Sequence, residues 1–178
     1  MLRYQWLRYL GGSINSEGRP SVCRPDLGGV RCLGGGGIDM AEGICADGAG
    51  GCVIVGRTYS TDGDPLCTPD VAWAVHLDAA GAIAHQACSG EAGADFEAIG
   101  RPPAGAYLAF RRGPTSGTCV VKLTATLAAD WVCPLPGLAG AALCVASDGG
   151  CIVAGGGSVV VGDSDCAIAK VRPNCTED

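Results

Sequence analysis

Aromatic side chains are scarce in this chain. Of its 178 residues, Phe, Trp and Tyr make up 5%, with two Phe and three Trp. The hydrophobic share is nonetheless 48%, drawn largely from Ala, Val and Cys. Side chains that small suit closely stacked sheets better than wide helix interfaces, and no stretch shows the 3.6-residue period of an amphipathic helix. Histidine is limited to His76 and His85, too few to complete mixed Cys/His zinc knuckles, and no paired CxxC occurs among the twelve cysteines. Lysine is limited to Lys122 and Lys170 against ten Arg, a bias that fits a GC-rich coding sequence and carries little functional weight. The net charge of −6 argues against a nucleic-acid partner. No apolar run could span a membrane, and residues 1–6 lack the apolar stretch of a secretory signal. There is no G-x-S-x-G elbow, and Gly34-Gly35-Gly36-Gly37 leads from no strand into a helix, so it reads as a linker.

What the chain does have is a repeat. Gly50-Gly51-Cys52-Val53-Ile54-Val55-Gly56 returns as Ala104-Gly105-Ala106-Tyr107-Leu108-Ala109-Phe110 and again as Gly149-Gly150-Cys151-Ile152-Val153-Ala154-Gly155. Each copy follows a turn signal, and before each turn lies a short apolar run: 40–45, 96–99 and 141–145. Two β-favouring runs joined by such turns predict a hairpin. A third run follows, ending at Leu77, Leu123 and Val171, spaced 46 and 48 residues apart. A fourth leads to Cys88 and Cys133. The unit is thus four antiparallel strands in about fifty residues, the size of a propeller blade.

The expected fold is all-β: about three four-stranded antiparallel blades, over 39–90, 91–137 and 138–178. The first unit carries an insertion, 57–69, read as an exposed loop. Residues 1–38 are irregular and hold two segments like a fourth strand, 5–12 and 30–34. The third unit lacks its fourth strand, so the N-terminal strand is expected to complete it and close the ring. Three blades are few for a propeller. Further blades of a longer chain, or association of two copies, would supply the rest; a partial solenoid-like stack of sheets is the third option.

Twelve dispersed cysteines read as disulfides formed in an oxidising compartment, with buried free thiols as the rival. Cys45 and Cys52 are seven apart across the first hairpin turn, and Cys144 and Cys151 across the third. Near those places the middle unit has Ile99 and Ala106. Joint loss of both members predicts the pairs Cys45–Cys52 and Cys144–Cys151. The other eight cysteines stay unassigned.

Leu77-Asp78-Ala79-Ala80-Gly81, then the 90–95 segment from Gly90 to Asp95, then the 148–155 segment beginning Asp148-Gly149-Gly150, together resemble bacterial secreted or surface β-propeller-type repeats. Those carry KLD-x-x-G-x-x-x-W, GG-x-x-x-D and DGG-x-x-V-x-G. The resemblance covers about residues 39–178 and implies the fold and an exported location. The Trp of the fourth strand is present at Trp6 and Trp131, but the first repeat has His85-Gln86 there.

Individual residues point to no definite chemistry. Asp62 with Asp64, and Asp163 with Asp165, fall short of calcium-loop density and fit ordinary turns. His76, Lys122 and Lys170 share one repeat position and read as a solvated edge. His85 has no visible partner. Ser147-Asp148-Gly149-Gly150 is a faint Asp-box without its aromatic residue, and Asn174-Cys175-Thr176 fits a glycosylation sequon. No catalytic residue, metal or cofactor is assigned. The expected role is a non-enzymatic, extracellular or cell-surface structural, assembly or adhesion module, with a homo-oligomer, further blades or a surface glycan as partner. The alternative is a carbohydrate- or ligand-binding module using the 57–69 loop and the Pro102-Pro103 turn. A fragment of a propeller hydrolase is a weaker third reading.

Overall fold

A computed structural model of the chain describes residues 7–10, 30–157 and 165–175. Its described residues form strands and no helix. Strands β1 (Leu7–Leu10) and β2 (Val30–Leu33) pair with each other in parallel. Sheet I joins β3 (Asp39–Ala46), β4 (Cys52–Thr58), β5 (Val71–Leu77) and β6 (Ile83–Ser89) in chain order. Sheet II joins β7 (Asp95–Gly100), β8 (Tyr107–Gly113), β9 (Gly117–Leu123) and β10 (Ala129–Pro134) likewise. Sheet III has β11 (Leu138–Val145), β12 (Cys151–Gly157) and β13 (Asp165–Val171). All pairings within these three sheets are antiparallel.

The turns follow from short acidic side chains that satisfy their own loops. Asp47 accepts hydrogen bonds from the backbone N–H of Ala49 at 2.7 Å and Gly51 at 2.8 Å. Asp78 does the same for Ala80 and Ala82, and Asp148 for Gly150.

The repeat survives in the register. The first strand of each sheet carries a bulge, where pairing skips Glu42, Glu97 and Ala141. Alignment on these bulges puts Cys52, Tyr107 and Cys151 at one position, opposite Leu77, Leu123 and Val171. A second bulge recurs in the fourth strand, at Ala84 and Asp130.

Alternation along each strand feeds two faces. On sheet I, Val53, Val55, Ala72 and Ala74 point forward and pack on Phe96, Tyr107, Ala109 and Val121 from the back of sheet II. On sheet II, Leu108, Phe110 and Val120 point forward onto Leu138, Val153 and Val171 of sheet III. The back of sheet I, with Cys52, Ile54, Trp73, Val75 and Leu77, is packed by Leu33 of β2. The sheets therefore stack in sequence, I to II to III, with a core at each seam.

Three expectations need correction. The N-terminal strand does not complete the third unit: β1 pairs with β2, and sheet III has three strands. Nor do the described residues close a ring, because that would need the front of sheet III on the back of sheet I. Leu33 already packs on that back, and Ile168 on that front is 71% exposed. Finally, no disulfide joins Cys45 to Cys52 or Cys144 to Cys151. Cys45 lies opposite Val53 and Cys52 opposite Ala46. Cys144 lies opposite Ile152 and Cys151 opposite Val145. Each expected pair is thus offset by one register step, which places its members on opposite faces of the sheet.

A disulfide does form elsewhere, between Cys67 in the loop before β5 and Cys88 on β6, with Cα atoms 5.8 Å apart. Bonds of this kind persist in oxidising compartments. Cys119, Cys133 and Cys151 are buried in the seams, acting as small apolar residues. Cys23 lies outside the described residues.

Candidate functional site

The sheets share two ends. At one, each first strand turns into the second; at the other, the second turns into the third. Pro102-Pro103 sits at the first end, beside Tyr107 at the start of β8, whereas loop 59–70 sits at the second, between the end of β4 and β5. They cannot line a single site.

A polar cluster occupies the first end of the seam between sheets I and II. Cys45, Val53, His76 and His85 form one row across sheet I. His76 Nε2 lies 3.0 Å from Asp47 Oδ2, and these side chains are 16% and 7% exposed. The His76 ring stands 5.8 Å from His85 and 6.4 Å from Tyr107, and the Arg101 guanidinium lies 6.0 Å from the Tyr107 ring centroid. Its hydrogen bond with His76, with further N–H donors from Ala49 and Gly51, holds the Asp47 carboxyl below its usual range against the opposing effect of burial. Burial, aided by the nearby Cys52, pushes the Cys45 thiol up to about 11, so it is a protonated and weak nucleophile near neutrality. Val53 stands between the thiol and the imidazole, two strand spacings or about 9–10 Å apart along the sheet. The composition is that of a thiol catalyst; the arrangement is not, because base and nucleophile do not meet. The Asp47–His76 contact ties the β3–β4 turn to strand β5. Since the folded Asp47 carboxyl has a lowered pKa, its contribution is fully present above the ordinary carboxylate range and is lost as pH falls below that range through the lowered folded value. Asp47→Asn should therefore flatten the acid side of the stability profile and cost about 1 kcal/mol at neutral pH, as read by urea unfolding at several pH values.

The position shared by His76, Lys122 and Lys170 is not simply a solvated edge. Each is paired with a carboxylate: His76 with Asp47, Lys122 with Asp130 at 2.9 Å, and Lys170 with Asp148 at 2.5 Å. Asp130 is the bulged residue of β10, a partner that spacing alone did not reveal. Asp148 also caps its own turn, in accord with turn chemistry rather than an Asp-box.

The acidic residues near the glycine linker are likewise committed. The N–H of Gly36 donates to Asp62 at 2.6 Å and that of Gly34 to Asp64 at 3.0 Å. Buried Asp39 accepts from Gly35 N–H at 3.0 Å, Ser60 Oγ at 2.8 Å and Thr58 Oγ1 at 2.5 Å. Among the described residues no group of three or more His, Cys, Asp or Glu could hold a metal. Asp165 is exposed at the start of β13; Asp163, Trp6 and Thr176 of the sequon lie outside the described residues. Arg57 pairs with Asp70 and lies over the Tyr59 ring, 4.5 Å from its centroid.

At the second end, between sheets II and III, lies an open cleft of about 620 Å³, lined by Thr115, Ser116, Leu135, Pro136 and Leu138 among others. Glu91 pins its turn: hydrogen bonds from the Thr115 hydroxyl and the Ser116 and Thr115 N–H groups draw its pKa down to about 2. Among the described residues no aromatic ring lines the cleft, so these offer a sugar no stacking platform.

The largest departure from the repeat is the front of sheet III. Ala142, Ala154 and Ile168 form one row across it, and Cys144, Ile152 and Lys170 the next. At the positions of Ile152, Ala154 and Ile168, sheet I has Val53, Val55 and Ala74, and sheet II has Leu108, Phe110 and Val120, all buried. Here Ala142, Cys144 and Ile168 are exposed. The same strand pattern signals burial in all three copies, so sequence periodicity could not single out the uncovered one.

Among the described residues no helix is long and apolar enough to cross a membrane. No family model matches the chain, and no curated protein does. One solved structure it is similar to is that of a protein of unknown function from Bacteroides caccae, at 11% identity over 78% of this chain and 81% of that one, with a TM-score of 0.27, too low to bear on fold or role.

Proposed function

We propose that the chain is a non-enzymatic structural module of an extracellular or cell-surface protein, a β-propeller-like sheet array whose task is assembly or adhesion. The observation that carries this reading is the front of sheet III, an apolar surface at positions that the same fold buries twice elsewhere in the chain. A face patterned for burial and left open is a contact surface. The Cys67–Cys88 disulfide supports the exported location. Light scattering at rising protein concentration tests the role: the mean mass should increase, and a mass independent of concentration would remove the basis for an assembly module. A second reading, a ligand-binding module, draws support from the cleft between sheets II and III, whose lining suits an apolar ligand.

A further inference from the structure

We propose that Asp95, at the seam between sheets I and II, takes up a proton from solvent in mild acid while the protein stays folded, and that its neutralisation strengthens the contact between β3 and β7. This property is independent of the role proposed above. Asp95 opens β7 and is 9% exposed. Its Oδ1 is buried and has no hydrogen-bond partner among the described residues. Other buried carboxylates of the chain are better served. Asp39 accepts from Gly35, Ser60 and Thr58. Asp47 accepts from Ala49 and Gly51 and has His76 beside it. A carboxyl oxygen withdrawn from water without a donor is costly in the charged form of the group and much less so in the neutral form.

The surroundings do not relieve that cost. Asp95 lies opposite Arg112 on β8, but the Arg112 guanidinium meets Glu97 Oε1 at 2.8 Å. Arg57 of β4, the other cation that acts on Asp95, pairs with Asp70. Both cations are thus matched by another carboxylate. Glu42, the bulged residue of β3, adds negative charge from across the seam. The other elements packed on β7 offer no relief. Arg111 of β8 donates to Ser89, and His76 of β5 is held by Asp47 at the far end of the seam. Strand β11 brings only the Cys144 thiol, near Gly100 at the other end of β7. Burial, with the Glu42 charge next, accordingly raises the Asp95 carboxyl above its usual range. Burial raises Glu97 as well, but its bond from Arg112 favours the charged form, so the first proton goes to Asp95. A folded value above the unfolded one gives a contribution that is fully present below the ordinary aspartate range. It is lost as pH rises through the folded value, the opposite sense to Asp47.

Carbon-13 NMR of the assigned side-chain carboxyls, followed against pH in the wild-type protein, should give Asp95 a titration midpoint above the ordinary aspartate range. Glu42→Gln should lower that midpoint, because the repulsion it removes crosses the seam. In urea unfolding, Asp95→Asn should have a higher midpoint than wild type at neutral pH. That gap should close as pH falls into the ordinary carboxylate range. An Asp95 titration at or below the ordinary range would overturn the proposal. So would an Asp95→Asn protein no more stable than wild type at neutral pH. A raised Asp95 titration left unmoved by Glu42→Gln would trace the effect to burial alone and overturn the strengthened contact between β3 and β7.

Discussion

Replacement of Phe110 by alanine should lower the free energy of unfolding by about 3–5 kcal/mol. Phe110 is one of two phenylalanines in the chain, and its ring is fully buried at the centre of the seam between sheets II and III. The seam is closed on Gly140: a Cβ there would sit 2.2 Å from the ring. The backbone of β11 is therefore fitted to the flat of the ring, so one wall of the space that alanine would leave is backbone. Domain stabilities are about 5–15 kcal/mol, so the variant should show a much lower urea midpoint and a lower melting temperature. A loss below about 0.5 kcal/mol, the range of ordinary surface substitutions, would mean that sheet III does not pack on sheet II as described.

Substitution of both Cys67 and Cys88 by serine should cost about 3 kcal/mol. The two are separated by 21 residues, and a cross-link closing a loop of that size removes roughly this much conformational freedom from the unfolded chain. The folded state adds to the effect, because Cys67 packs against the buried cluster on the back of sheet I that includes Trp73 and Val75. Wild-type protein treated with a strong reductant should likewise unfold at a lower urea concentration, and the peptides holding Cys67 and Cys88 should together gain two hydrogens. If reduction leaves both mass and midpoint unchanged, the bond is absent and the support for an oxidising compartment goes with it.

Hairpins, turns and the three-copy pattern could be read from the chain because they rest on local chemistry: Asp/Gly turns between β-favouring runs. The predicted third strand of the first unit coincides with β5, Val71–Leu77. What could not be read was anything that depends on a single register step. Spacing suggested Cys88 and Cys133 as equivalents. The bulges instead align Cys133, opposite Val120, with Ala87, opposite Ala74. Cys88 lies one step further along, opposite Trp73, and so faces the back of its sheet, where Cys67 is found. The same parity error underlies the pairs Cys45–Cys52 and Cys144–Cys151: a spacing of seven across a turn looks like opposition, but the turn length decides which face each thiol takes. The middle unit also differs from its expected alignment, with Gly100 and Tyr107 in place of Ile99 and Ala106 at these positions. Similarly, the pairing of Lys122 with Asp130 depends on a bulge, which no composition signal announces.

The order of the stack has a consequence for how the molecule comes apart. Among the described residues the apolar clusters join each sheet to its sequence neighbours, so its resistance to opening is approximately its own stability plus one coupling term per covered face. Among the described residues, sheet II has a sheet on both sides, sheet I has sheet II and Leu33 of β2, and sheet III has sheet II. The free energy of local opening should therefore be graded along the chain, with the C-terminal sheet as the first unit to fray and sheet II as the last. In this sense the open front does more than leave a surface free: it places the weakest link of the array at the end where the repeat is left uncovered.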